Sequence, residues 1–135
     1  MIWMISLGIL CDIDLEDFKH ITAVLARDGA NDRLLSELIR YKQPDWAQSD
    51  APVIQKHPYA QAVHLYTAQD IKRYLDKEWY QGHSDAYWHD LHKNKKVNNY
   101  FGYWAWEAGA LAKVRGIDDS SLKNQKYYPY DAVHW

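Results

Sequence analysis

Apolar residues recur at helical spacing through most of the chain, and no segment shows the alternation typical of a half-buried strand. The pattern predicts an apolar first helix that ends near Asp12 and a second helix with Asp14 as its N-cap. A third helix is expected from about Asn31 to Tyr41, with Pro44 beyond its end. The predicted fold class is therefore all-α, an antiparallel array of about six to seven helices.

The middle of the chain is predicted to contain a long loop followed by two helices. Residues 43–58 hold three prolines among several Asp and Ser, which favours a loop. A short helix is expected over Tyr59–Tyr66. Thr67 and Asp70 have the spacing of a capping box, which predicts the start of a helix that runs to Tyr80.

The stretch 99–116 is predicted to be the central, aromatic-rich helix. Two stripes fall on its surface at helical spacing, and a helix with two apolar faces is expected to be buried on both. Small residues in the second stripe would let another helix approach closely. The first stripe comprises Tyr100, Tyr103, Trp104, Leu111 and Val114, and the second comprises Phe101, Ala105, Ala108 and Ala112.

Glu107 lies on the first stripe and breaks its apolar pattern. A carboxyl group there must be neutral, hydrogen-bonded or paired, because burying an isolated charge is costly. One hypothesis is a catalytic acid, base or metal ligand with a shifted pKa. The favoured hypothesis is a structural carboxyl that accepts hydrogen bonds from Tyr or Trp donors, or from an Arg on a neighbouring helix.

Composition and charge predict a single domain and argue against a nucleic-acid-binding protein. With 135 residues, the chain is predicted to form one domain over 1–135. A formal net charge of −2 excludes the global cationic field of a nucleic-acid binder. The 7 Trp and 11 Tyr against 2 Phe favour half-buried positions or an interface.

The cysteine count and the N-terminal segment bear on location. The single cysteine, Cys11, excludes an intrachain disulfide and fits a reducing cytoplasm. The apolar start, Met1 to Cys11, is too short to span a bilayer and lacks the basic residues of a secretory signal. We therefore expect a cytoplasmic protein with no membrane partner.

Two alternative functions come from individual side chains. His89 and His92 are three positions apart and, with Glu107, define a small metal-dependent hydrolase hypothesis. No HExxH or paired CxxC motif accompanies them, so no metal or other cofactor is expected. The second alternative is an aromatic-rich module that binds a nucleic acid or glycan through exposed Trp and Tyr.

Acidic residues are concentrated near the N-terminus. Residues 1–37 carry seven acids against three basic residues, a bias that would suit a basic partner. Capping accounts for part of this bias. The candidate contact residues are Asp12, Asp14, Glu16, Asp17, Asp28 and Asp32.

An ordered series of motifs resembles the C-terminal domain of the PoNi immunity proteins. Those bacterial proteins protect cells against PoNe, a polymorphic-toxin DNase delivered by specialised secretion systems. Members usually carry a second helical domain upstream, so the resemblance implies that this chain corresponds to the C-terminal domain alone. The matching segments are Asn99–Trp104, Glu107–Ala108, Gly116–Leu122 and Tyr127–Asp131, with Arg27–Gly29, Asp32, Leu35, Tyr74–Leu75 and Trp79–Tyr80 before them.

The resemblance implies a non-enzymatic protein that binds a toxin domain. It also implies that this partner is a DNase and that the protein itself does not bind nucleic acid directly. It also makes the six N-terminal acids candidate toxin contacts. The motif residues are mostly aromatic or turn-forming, and we interpret them mainly as fold determinants. They are Asn99, Tyr100, Gly102, Tyr103, Trp104, Glu107, Asp118, Asp119, Tyr127, Tyr128, Pro129 and Asp131.

Overall fold

The computed structural model describes residues 1–94, 96 and 100–135, and within them the secondary structure is entirely helical. This confirms the predicted all-α class, with six helices where six to seven were expected. Among the described residues, no helix is both long and apolar enough to cross a bilayer. The helices are α1 (Ile2–Leu10), α2 (Leu15–Arg27), α3 (Arg33–Lys42), α4 (Ala68–Tyr74), α5 (Trp106–Arg115) and α6 (Tyr130–Val133).

The helix starts predicted from capping residues are present. The Asp14 carboxylate accepts a hydrogen bond from the Asp17 backbone N–H at 2.9 Å and begins α2. Thr67 and Asp70 form a complete capping box at the start of α4. Each cap satisfies N–H groups that have no partner inside the helix, so the local sequence determines where these helices begin.

Two helices form the centre of the fold. α1 packs against α2, α3 and α5, and α5 also packs against α3 and α6. Six consecutive residues of α5, 107–112, are buried, which confirms that this helix is enclosed on more than one face. The centre was predicted for α5 alone, but α1 shares it, with Ile5, Ile9 and Leu10 fully buried.

The prediction of a helix is wrong for the first part of the stretch 99–116. The described residues 100–105 are not helical, and α5 begins only at Trp106. Gly102 has φ +92°, outside the helical region, and the Ala105 N–H bonds to the Tyr127 carbonyl at 2.9 Å instead of to a preceding turn. Consequently Phe101, expected on a buried stripe, is 89% exposed. Asn99, the first motif residue, lies outside the described residues.

Three other predicted elements differ in detail. The short helix expected over Tyr59–Tyr66 is reduced to a 3₁₀-helix at Ala62–His64. The helix from α4 continues to Trp79, but its second part, Leu75–Trp79, is a π-helix. Pro129 disfavours a helical conformation at Tyr128, which predicts an extended segment over Lys126–Asp131. The chain instead enters α6 at Tyr130, because Pro129 restricts the residue before it and can itself precede a helix.

One arginine at the end of α5 links three parts of the chain. Arg115 donates through Nε and Nη2 to the two carboxylate oxygens of Glu37 on α3, both at 2.7 Å. The same guanidinium donates to the carbonyls of Leu65 at 2.7 Å and Val63 at 3.1 Å. It also lies 4.3 Å from the centre of the Tyr66 ring. This side chain thereby fixes the 63–66 segment against α3 and α5.

Close packing between α5 and α6 depends on Gly109. A Cβ atom at this position would lie 2.7 Å from Pro129 Cγ and 3.1 Å from Val133 Cγ2. We expect Gly109→Ala to lower the free energy of unfolding by about 1–3 kcal/mol through overpacking, measured by urea denaturation. Adding Pro129→Ala removes the ring atom that clashes. The double variant should then show a non-additive recovery, and additive losses would contradict this contact.

Candidate functional site

The exposed acids of α2 form one candidate surface. Glu16 and Asp17 are exposed in the first turn of α2, beside the capping residue Asp14. None of these three carboxylates makes an ion pair within the described part of the chain. Their charge is therefore available to a basic partner, in addition to favouring the positive end of the helix dipole. We call Asp14, Glu16 and Asp17 the acidic face.

The other three predicted acids are engaged within the fold. Lys42 donates to Asp12 at 2.7 Å, and this contact lowers the pKa of the Asp12 carboxyl. Asp28 pairs with the neighbouring Arg27 at 2.9 Å. Asp32 is 2% exposed, and its two carboxylate oxygens accept from the N–H groups of Leu35 and Ile54. Asp32 thus caps α3 and presents no free oxygen at the surface.

Several motif residues make hydrogen bonds that fix the chain after α5. The Tyr128 hydroxyl donates to Asp119 Oδ2 at 2.6 Å, and Asp119 Oδ1 lies 2.9 Å from His134 Nε2. Burial, together with the adjacent Asp119 carboxylate, raises the pKa of Tyr128 above its usual range. The Asp118 carboxylate accepts from the Ser120 N–H at 3.1 Å and closes the turn after α5. These contacts support a structural role for this part of the motif.

Glu107 is fully buried in the first turn of α5. The Tyr74 hydroxyl donates to its Oε1 at 3.0 Å, which supplies the tyrosine donor expected of a structural carboxyl. Burial raises the pKa of Glu107 to about 7, although the helix backbone, Tyr74 and Trp79 each oppose the rise. The Trp79 indole N–H comes near the carboxyl without good hydrogen-bond geometry, so Trp79 Nε1 and Glu107 Oε2 have no partner among the described residues.

Three of the seven tryptophans, Trp3, Trp79 and Trp88, belong to a packed aromatic cluster beside Glu107. Trp79 stacks on Trp88 with ring centres 5.7 Å apart, and Tyr80 stacks on Tyr127 at 5.3 Å with nearly parallel planes. Of the seven tryptophans, only Trp104 and Trp135 are exposed. The expectation of several Trp on one open face, which the nucleic-acid or glycan hypothesis requires, has no support in this arrangement.

His83 ties this cluster to the core. Its Nδ1 lies 2.7 Å from the carbonyl oxygen of Trp79, and its Nε2 lies 3.1 Å from the Tyr59 hydroxyl. Because a carbonyl can only accept, Nδ1 carries the proton, and in the neutral ring Nε2 accepts from Tyr59. Burial lowers the pKa of His83 and favours this neutral form.

The proposed metal-ligating residues are engaged separately. His92 Nδ1 lies 2.8 Å from the Tyr103 hydroxyl, and His89 Nδ1 lies 3.7 Å from the Asp90 carboxylate. The Glu107 carboxyl contacts Tyr74 in the core instead. Among the described residues, no group of three or more His, Cys, Asp or Glu is arranged to hold a metal ion. The hydrolase hypothesis therefore gains no support from the structure.

A surface cleft of about 610 Å³ lies beside the start of α5, and we call it the aromatic cleft. It is formed where the chain before α5 meets the segment that leads into α6. Eight of the motif residues line it, so the motifs that are distant in sequence meet at one surface. The lining residues are Tyr100, Gly102, Tyr103, Trp104, Trp106, Lys123–Ala132.

Several residues of this cleft lie outside the set predicted from the sequence. Trp106, Lys123 and Lys126 were not among the predicted site residues, yet all three line it. A Cβ atom on Gly102 would lie 2.8 Å from Trp104 Nε1, so the glycine allows the indole to pack against the backbone. The cleft forms only because segments that are distant in sequence lie close together in the fold, so the spacing of residues along the chain does not predict it.

Comparison with known proteins identifies one family. The family model for PoNe immunity proteins (PoNi), C-terminal, matches residues 30–132. No curated protein matches the chain. No solved structure matches it either. The matched range covers far more than half of the sequence and includes the aromatic cleft, and the chain therefore belongs to the PoNi family of immunity proteins against PoNe nuclease toxins.

Proposed function

We propose that this protein binds a cognate secreted bacterial DNase toxin and neutralises it by covering its active or substrate-binding surface. The observation that carries the proposal is the family match over residues 30–132. The protein acts by binding, without catalysis and without a cofactor, in the cytoplasm of the cell that it protects. The chain contributes this activity as the C-terminal type of PoNi domain.

The acidic face offers a physical basis for such binding. A DNase must attract the phosphate backbone of DNA, and its substrate-binding surface is therefore expected to be basic. Asp14, Glu16 and Asp17 present carboxylates on one exposed helical turn. Complementary charge speeds the encounter of two proteins and favours the correct orientation.

Charge reversal on the acidic face tests this step. We expect Glu16→Lys/Asp17→Lys to slow association with the toxin domain encoded beside the gene by about tenfold or more at low salt, with a smaller effect at high salt. Stopped-flow or surface plasmon resonance measures the association rate. The matched control is Asp45→Lys/Asp85→Lys, which makes the same change in net charge at two exposed positions elsewhere. Equal slowing by both double variants would show a net-charge effect and contradict the assignment.

A further inference from the structure

We infer that the aromatic cleft is a second docking site on this protein, and that it receives a toxin segment in which a large apolar side chain lies beside a carboxylate. The inference rests on the proposed function for the identity of the partner. The segment that enters the cleft would be acidic, whereas the toxin surface that contacts the acidic face would be basic. None of the residues of α2 lines the cleft, so the two surfaces can be tested separately.

The size and lining of the cleft suit a protruding side chain. Its volume of about 610 Å³ lies within the range of known ligand-binding sites. Tyr103 and Tyr128 are buried at 8% and 3% exposure, so these rings belong to the fold. Trp104 and Tyr100 line the same cleft but remain 43% and 47% exposed. These two rings leave apolar area uncovered, which a partner side chain would bury.

Trp104 is held in place before any partner arrives. Its indole Nε1 lies over Gly102, where an added Cβ would come within 2.8 Å. The ring of Trp106 lies 6.2 Å from the Trp104 ring, centre to centre, and supports it from the side of α5. A pre-positioned tryptophan loses little side-chain entropy on binding, and tryptophan is the residue type most enriched among binding hot spots.

Two lysines at the edge of the cleft, Lys123 and Lys126, which we call the rim, favour a carboxylate on the partner. Lys123 and Lys126 are exposed and make no ion pair within the described part of the chain. Asp131 is the only acid among the described residues that line the cleft. The rim is therefore cationic on a protein whose net charge is −2. Lys126 Nζ lies 4.7 Å from the centre of the Tyr127 ring, which keeps its charge over the aromatic surface.

The rim segment is anchored to α4 and the π-helix after it. The Gln125 side chain donates to Asp76 at 2.8 Å and accepts from Lys72 at 3.0 Å. Gln125 lies between the two rim lysines in sequence, so these bonds fix the position of the backbone that carries both. A carboxylate entering the cleft would thus meet two charges attached to a supported segment.

The test measures the affinity of purified variants for the toxin domain encoded beside the gene. We expect Trp104→Ala to raise Kd by roughly tenfold to thirtyfold, as for an interface hot spot. Lys123→Glu/Lys126→Glu should weaken binding at low salt more than at high salt. The controls are Trp135→Ala, which removes a tryptophan that is 92% exposed, and Lys56→Glu/Lys77→Glu at exposed sites outside the cleft. Both controls should bind within about twofold of wild type, and circular dichroism verifies that each variant is folded.

The possible results distinguish failure of the docking-site inference from failure of the proposed function. If wild type binds the toxin and the cleft variants bind equally well, the inference is overturned while the proposed function stands. If folded wild type does not bind the toxin at all, both fail. A DNA oligonucleotide that quenches the fluorescence of wild type but not of Trp104→Ala would assign the cleft to nucleic acid, and this result also overturns the inference. Equal losses in the variants and their controls would do the same.

Discussion

Arg115→Ala is expected to lower the free energy of unfolding by about 3 kcal/mol, because it breaks a largely buried ion pair. The guanidinium has 10% of its side-chain surface exposed and donates to both oxygens of Glu37. Its removal leaves a carboxylate that is only 33% exposed without its partner, and it frees the carbonyls of Leu65 and Val63. Urea denaturation monitored by tryptophan fluorescence measures the loss.

Two variants show whether this geometry is responsible. Arg115→Lys keeps the charge but cannot reproduce the planar fork, so it should recover only part of the lost stability. Arg27→Ala removes another arginine whose pair with Asp28 is exposed, at 74% and 55% of the two side chains, and should change stability by about 0–1 kcal/mol. The account of Arg115 would be wrong if Arg115→Ala cost no more than Arg27→Ala.

Glu107 is expected to make stability fall as pH rises from about 4.5 to about 7. The pKa of its carboxyl is about 7 in the folded protein against 4.5 as the ordinary value. The folded state therefore holds a proton that the unfolded state releases, and the linkage relation gives a loss of stability with rising pH in this window. A shift of this size corresponds to roughly 3 kcal/mol between pH 4.5 and pH 8.

The variant Glu107→Gln isolates this contribution. Glutamine keeps an acceptor for Tyr74 but cannot ionise, so its stability relative to wild type should increase by roughly 3 kcal/mol from pH 4.5 to pH 8. Unfolding free energies measured by urea denaturation across this range give the difference curve. Glu16→Gln removes an exposed carboxyl and should leave the shape of the curve nearly unchanged. A pH-independent difference between wild type and Glu107→Gln would refute the buried-carboxyl account.

The sequence predicted features that depend on a few neighbouring residues. Asp14 and the Thr67–Asp70 pair indicated helix starts because each cap acts within one turn. Apolar periodicity predicted the third helix, and in the structure Leu34, Leu38 and Ile39 of α3 lie in the core. These elements are determined by local chemistry and by a single apolar face.

For features that depend on distant segments, the sequence predicted at most the type of contact and not the residues that make it. Periodicity continued through residues 100–105, but Gly102 and a hydrogen bond to Tyr127 give this segment a non-helical path. A tyrosine donor for Glu107 was expected, yet nothing local indicated Tyr74, which is 33 positions away. The pairing of Arg115 with Glu37 joins residues that are 78 positions apart, and it likewise requires the assembled fold.

The sequence predicted some residues of the candidate site but not how the fold brings them together. The motif residues were interpreted as fold determinants, and Asp118, Asp119 and Tyr128 make contacts of that kind. Their meeting with Trp106 and two lysines at one cleft could not be deduced from spacing. The N-terminal acids were treated as one set, but only those of the acidic face are both exposed and free of ion pairs. Asp12 and Asp28 pair with Lys42 and Arg27, and Asp32 is buried as the cap of α3.

The most direct test of the central claim is a DNA-degradation assay with the toxin domain encoded beside the gene, titrated with this purified chain. If the protein neutralises the toxin, cleavage of a plasmid substrate should fall in proportion to added protein and end near one equivalent per toxin. The assay should give the same endpoint when the DNA concentration is raised, provided that binding is tight. Full cleavage in the presence of an excess of folded protein would contradict the claim.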